Sequence, residues 1–296
     1  MMKHGIRIED VTLETMQPIM CPVGEVKIAN KTISEHLLER LDNLEGEILC
    51  SSNFYPSEQL LEFCQNEEAN IMIVDSNEKC IMAVQKNDTD EYEVAEIDED
   101  SLLLIYAHDL LFLLEKIVGD LKEDKIEGEI RNNVNYDGVL HLGKGSVLLP
   151  GVYIEGNVTI GENCKIGPNC YIRGNTSIGD NCHIGQAVEV KNSLLMNKVS
   201  LGHLTYMGDS IICSNVNFGA GTIGSNLRHD GQNHKTMVGG HLIDTKRRKF
   251  GCIIGEGVHT GIHTTIYPGR KMFAGSSTRP GDIVTHDFKL YISKDE

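Results

Sequence analysis

The chain has 296 residues, a formal net charge of −16 and nine cysteines. That length gives one or two domains with a sizeable core, and the acidic excess argues against a nucleic-acid partner. No CxxC pair occurs and the cysteines do not form a disulfide framework, so neither a cysteine zinc site nor a secreted disulfide scaffold is expected.

The opening MMKHGIRIED lacks an apolar signal core, which points to a cytoplasmic protein. Charge is unevenly spread: residues 1–130 hold 10 Lys and Arg against 30 Asp and Glu, whereas residues 131–296 hold 17 against 13. The step places a domain boundary at about residue 130, with a small α/β domain over 1–130 and a second domain over 131–296. In the first domain, SEHLLERL (Ser34–Leu41) reads as a helix capped by Ser34, with Leu37, Leu38 and Leu41 on one face. Ile71–Val74 and Ile81–Val84 read as short strands joined by the turn-like DSNEKC. The apolar stretch Leu102–Val118 is interrupted by His108, Asp109, Glu115 and Lys116, so it predicts a core helix over Asp109–Val118 and no membrane span.

From Leu142 an aliphatic residue returns every six positions: Leu142, Leu148, Ile154, Ile160, Ile166, Ile172, Ile178, Ile184, Val190 and Met196. Fixed-period self-similarity marks a solenoid. Six residues suit one flat side of a triangular coil, so three hexads close a rung of about 18 residues. Four places after each aliphatic stands a mostly small residue, from Ser146 and Val152 to Cys164, Cys170, Cys182 and Val188, suited to a narrow interior. Asn157, Asn163, Asn169, Asn175 and Asn181 share the fourth place, where a corner favours positive φ. The rhythm slips around VSLGHLTYMGDS, returns at Ile212 and Phe218, breaks over His229–Cys252, and resumes at Ile254, Thr260, Ile266 and Met272. Insertions leave a β-helix at its corners, which is where solenoids place binding surface.

The stretches VEVKNS (Val188–Ser193), GHLTYMGDS (Gly202–Ser210) and NVNFGAGTIGSN (Asn215–Asn226) resemble the acetyltransferase half of the bifunctional UDP-N-acetylglucosamine pyrophosphorylase/glucosamine-1-phosphate acetyltransferases. With NLRHDG, IDTKRRKFG and IYPGRK following, the resemblance is to the archaeal members and covers about residues 142–280. It implies a mainly β chain, a left-handed parallel β-helix of hexapeptide repeats preceded by a small, truncated α/β domain. The activity implied is transfer of acetyl from acetyl-CoA to the amino group of glucosamine 1-phosphate or galactosamine 1-phosphate, by a homotrimer with sites between subunits and without a metal. By that resemblance His203 is the base, Arg173 and Lys191 bind phosphate, and Tyr206, Asn217 and Asn226 contact the sugar. Ala220, Ala274 and Lys235 border the coenzyme; the register leaves His234 as the alternative to Lys235, and the serine that lines the coenzyme site in bacterial members falls on Ile262. Imidazole titrates near neutrality, as a base for an ammonium proton must. The Lys246–Lys249 run, KRRK, offers cations for coenzyme phosphates, although such runs are more often solvated faces.

The front segment Ile6–Gly24, running on to Ile33–Leu41, has the cadence of a sugar-1-phosphate nucleotidylyltransferase loop. The phosphate-cradling glycines are missing and the Lys-Pro pair has become Gln17-Pro18. The resemblance implies a shrunken domain without nucleotidylyltransferase activity. Two other readings stay open at this point. One is a non-catalytic scaffold or regulatory relative of an intact enzyme. The other is a zinc hydratase of the kind that shares this helix, for which His183, His229, His234, His241, His259 and His263 lack neat spacing.

Overall fold

The computed structural model describes residues 2–3 and 5–289. The chain forms two compact units, one of residues 1–14, 21–26 and 31–106, the other of residues 15–20, 27–30 and 107–296. Thus the division falls after Tyr106 and not at the charge step near residue 130, because residues 107–119 pack as part of the second unit.

In the first unit, six strands form one mixed sheet in the order Met2–Lys3, Ile6–Glu9, Glu47–Ser51, Cys80–Gln85, Asn70–Val74, Tyr92–Glu96. Ile6, Ile8, Ile48, Cys50, Ile71, Ile73, Met82 and Val84 alternate along their strands and are all buried. The two predicted strands are present as an antiparallel pair with an irregularity at Ile73/Val74. Helix α1 (Ile33–Leu41) buries Ile33, Leu37, Leu38 and Leu41, and α2 (Glu58–Asn66) buries Leu60, Leu61 and Cys64. The cap of α1 is Thr32, not Ser34. The Thr32 hydroxyl accepts from Glu35 N (3.1 Å) and the Glu35 carboxylate accepts from Thr32 N (2.7 Å), a capping box that starts the helix earlier and places Ser34 inside it.

The second unit is the expected left-handed parallel β-helix. Among the described residues its coil has three parallel sheets. The first face has eight strands from Lys125–Ile126 to Arg270–Met272, and the second has six from Glu129–Ile130 to Asn217–Phe218. The third has eight, from Asn135–Asp137 to Ile283–Val284. The hexad aliphatics Leu142 to Val190 are buried in a single core column set, together with Cys164, Cys170, Cys182 and Val188. Met196 is the exception. Ile178 pairs with Leu195, so Leu195 takes the inward place and Met196 is left half-buried. One residue is missing from the corner between Val190 and Leu195, and the same shortening recurs between Met207 and Ile212. Positive φ occurs at Asn163, Asn169 and Asn181 as predicted, but at the other corner it falls on Gly156 and Gly174 in place of Asn157 and Asn175.

The first face is covered from within the unit. Its outward residues Thr159, Ser177, Leu194, Ile211 and Ile253 are buried, as are Leu110, Leu111, Leu113, Leu114, Ile117 and Val118 of helix α3 (Asp109–Gly119). Each fully buried aliphatic side chain is worth about 1.5–3 kcal/mol. Asn157 Nδ2 donates to the carbonyls of Val118 (3.0 Å), Gly119 (3.2 Å) and Leu121 (3.3 Å), satisfying the C-terminal end of α3. A face buried on both sides explains why its strands Leu194–Leu195, Ile211–Ile212 and Cys252–Ile254 are apolar throughout.

Candidate active site

The third face holds a polar patch built by strand register. Glu155, Arg173, Lys191 and Gly208 stand in line on successive strands, beside a second line of Tyr153, Tyr171, Glu189 and Tyr206. Arg173 donates through Nε (2.9 Å) and an NH2 group (2.8 Å) to Glu189, and its guanidinium lies 5.2 Å from the Tyr171 ring centre. The adjacent carboxylate raises its pKa further, so the cation is permanent. Lys191 Nζ donates to both oxygens of the buried Asp209 carboxylate, at 2.9 and 3.1 Å.

Glycine at 208 makes room for the next two groups. A β-carbon there would lie 2.4 Å from the Tyr206 hydroxyl and 2.6 Å from Asn226 Nδ2. Asn226, at the corner just past the third-face strand Ile223–Gly224, donates to Asp209 at 2.5 Å. Burial, then the Asp209 and Glu189 charges, push the Tyr206 phenol up, so it stays a neutral donor. Arg173, Lys191, Tyr206 and Asn226 are therefore brought together along the third face and its corner.

His203 ends the second-face strand Ser200–His203 at the corner with the third face, where its side chain is exposed. Its carbonyl accepts from Gly221 N (3.1 Å) and Thr205 Oγ1 (2.9 Å). The same corner repeats one rung on: the Ala220 carbonyl accepts from His263 N (2.8 Å), and then that of Ile262 from Gly281 N (2.8 Å). Ala220 thus lies in the rung beside His203, and its short side chain leaves that corner open. Asn217 lies on the second face, in register with Ser200. His183, in the same line of that face, has its pKa lowered by burial and by Lys165 and His203.

The remaining predicted residues are not gathered at this corner. Ala274 follows Arg270–Met272 at the corner between the first and second faces, its amide 2.6 Å from where a Gly255 β-carbon would stand. Lys235 opens the hairpin Lys235–Val238/His241–Asp244, on an excursion that leaves after Gly224 on the third face and returns at Cys252 on the first. The two register alternatives, Lys235 and His234, differ in exposure. Lys235 is exposed, whereas His234 is buried with Nε2 3.1 Å from the Asn226 carbonyl. Within the KRRK run Lys246, Arg248 and Lys249 are exposed and Arg247 is not. Arg247 is buried, pairs with Glu115 of α3 and lies 4.7 Å from the Phe112 ring centre.

Asp209, Asn192 and Glu115 escaped the sequence reading. The signal for Asn192 and Asp209 was a corner one residue short of the hexad repeat; Glu115, on α3, carried none. Among the described residues, no three His, Cys, Asp or Glu converge as ligands for a metal within one chain. No helix among them is long and apolar enough to cross a membrane.

Residues 141–270 match the family model described as GMPPB C-terminal domain. The chain is 43% identical over 160 residues to the bifunctional sugar-1-phosphate nucleotidylyltransferase/acetyltransferase of Sulfurisphaera tokodaii, covering 54% of this chain and 40% of that protein. It is also 43% identical over 165 residues to the bifunctional protein GlmU of Methanococcus maripaludis, covering 56% and 40%. The matched part therefore spans about 40% of these curated relatives. Among solved structures, the UDP-N-acetylglucosamine O-acyltransferase LpxA of Moraxella catarrhalis aligns at 17% identity and a TM-score of 0.30, over 56% of this chain and 65% of that one. Over its β-helix part this chain is therefore similar to the GMPPB C-terminal domain and to part of the bifunctional sugar-1-phosphate nucleotidylyltransferase/acetyltransferase and GlmU proteins.

Proposed function

We propose that the protein transfers acetyl from acetyl-CoA to the amino group of a hexosamine 1-phosphate, glucosamine 1-phosphate or its galactose epimer. The observation that carries this reading is the pairing of Arg173 with Lys191 on neighbouring rungs, next to Tyr206 and Asn226 and one corner from His203. Two fixed cations suit a phosphate dianion, and the hydroxyl and amide beside them suit a sugar ring.

In the proposed reaction Arg173 and Lys191 hold the phosphate, while Tyr206, Asn217 and Asn226 orient the sugar. His203 takes a proton from the amine, the nitrogen bonds to the thioester carbon, and the carbon–sulfur bond breaks to release CoA, whose thiolate recovers the proton. Of the three amides at Gly219–Gly221, two are committed, Gly219 N to Thr260 and Gly221 N to the His203 carbonyl. The Ala220 amide is the one that remains to steady the oxyanion. Predicted coenzyme residues Ala220, Ala274 and Lys235 occupy three different corners of one coil. They converge on one acetyl-CoA only if neighbouring copies contribute, which supports the homotrimer with sites between subunits.

The front unit is proposed to lack nucleotidylyl transfer. Gly24 N, an amide that a phosphate cradle would offer, is bonded to the Asp10 carboxylate at 2.9 Å, and Ser52 Oγ donates to the same oxygen at 2.9 Å. A carboxylate in that place repels phosphate.

Replacement of His203 by alanine is expected to lower kcat by about a hundred-fold or more, with the KM for the sugar phosphate little changed. A mutant with wild-type kcat would remove His203 from the base role.

A further inference from the structure

From Lys191 the third face is anchored to helix α3 by a chain of side chains, Asp209, Asn192, Glu115 and Arg247, that no step of the reaction uses. Asn192, at the shortened corner, spends its two amide hydrogens on two carboxylates: Asn192 Nδ2 is 3.0 Å from Asp209 Oδ1 and 2.7 Å from Glu115 Oε1. Asp209, buried, also receives Lys191 and Asn226. Glu115, on α3, also receives Arg247, through NH1 at 3.1 Å and through NH2. The order is cation, carboxylate, amide, carboxylate, cation: Lys191, Asp209, Asn192, Glu115, Arg247. An amide with both hydrogens committed cannot rotate without giving up a hydrogen bond to the buried Asp209 or the half-buried Glu115 carboxylate, and a charge-assisted bond of that kind is costly to lose. The orientation of Asp209, and with it the place of the Lys191 ammonium, is thereby tied to a helix on a different face of the coil.

We propose that Glu115 is a positioning residue for the phosphate end of the acceptor, acting through Asn192 and Asp209 on Lys191. This rests on the reading of Lys191 as a phosphate ligand, but the coupling itself is a property of the side-chain network. Asn192 has φ +46°, so glycine accepts its backbone conformation while removing the amide. Asn192→Gly therefore cuts the link without disturbing the packing of α3, and stands beside Glu115→Ala should that variant fold poorly.

The test uses the full chain and two readouts. Competitive trace acetylation with acetic anhydride, read by mass spectrometry, reports the reactivity of Lys191 against the exposed Lys144. Steady-state kinetics report the KM for the hexosamine 1-phosphate. Both variants are expected to label Lys191 about five-fold faster than wild type with Lys144 unchanged. They should raise the KM for the sugar phosphate by about the same factor, leaving kcat and the KM for acetyl-CoA within about two-fold. Glu115→Gln, which keeps an oxygen for the Asn192 amide, should stay close to wild type in both readouts. Unchanged Lys191 labelling in Asn192→Gly and Glu115→Ala overturns the proposal whatever the activity, and so does equal acceleration of Lys191 and Lys144, which reports general loosening. Faster Lys191 labelling in a protein that transfers no acetyl upholds the coupling and overturns the acceptor reading instead.

Discussion

Gly208 shows how one missing side chain shapes the proposed acceptor site. Its place in the line of Glu155, Arg173 and Lys191 is where a long side chain would stand, and its absence admits the Tyr206 hydroxyl and Asn226. Gly208→Ala would push against the mobile ends of two side chains and not against backbone. Thermal unfolding is therefore expected to shift by less than about 1 kcal/mol equivalent, while the KM for the sugar phosphate rises several-fold. An unaltered KM would place the sugar elsewhere. Arg173 and Lys191 stand out in the sequence because each takes the place after a hexad aliphatic where Gly143, Gly161, Gly167, Gly179 and Gly185 stand in other hexads. Asp209 does not, because its burial depends on a corner one residue shorter than the repeat predicts, and period counting alone does not say which side of that corner faces inward.

At the scale of elements, local signals and tertiary cover contributed unequally. The strands at Ile71–Val74 and Ile81–Val84 could be read from short apolar runs on either side of a turn-like segment, and the helix over Asp109–Val118 from an apolar stretch broken by charged residues. The helix start at Ile33 was readable too, since Thr32 and Glu35 form a capping box three residues apart, although Ser34 was the more obvious candidate. Thr32→Ala is expected to cost the first unit about 1 kcal/mol in urea unfolding followed by helical circular dichroism. A midpoint equal to wild type would show that tertiary packing alone fixes α1. What the sequence could not reveal is where α3 goes. Nothing in its residues names a partner, and the apolar outward residues Leu194, Ile211 and Ile253 that it helps cover look like ordinary hexad neighbours. Once that face is known, the half-buried Glu115 and the buried Arg247 become intelligible as a pair, which withdraws Arg247 from the basic run while Lys246, Arg248 and Lys249 stay exposed.

For the whole molecule, titration of buried groups sets a pH limit on stability. His108, His183 and His234 all have pKa values lowered from 6.5, chiefly by burial. With folded values below the unfolded one, the unfolded chain binds more protons in the interval between them. Stability therefore rises with pH through that interval, levels off above about 6.5, and falls on acidification below it. Urea midpoints of the β-helix transition should drop between pH 7 and pH 5.5, ahead of the range in which ordinary carboxylates protonate. A flat midpoint over that range would mean that these imidazoles stay accessible to protons in the folded state.

Chemistry is the most direct test of the account. Thiol release from acetyl-CoA should be measured with the full-length protein, with glucosamine 1-phosphate, with galactosamine 1-phosphate and with no sugar added. Release that requires one of the sugar phosphates, with an N-acetylated sugar phosphate as the second product, is the predicted result and names the epimer. A folded protein that releases no CoA with either sugar would contradict the acetyltransferase reading and leave the β-helix as a scaffold.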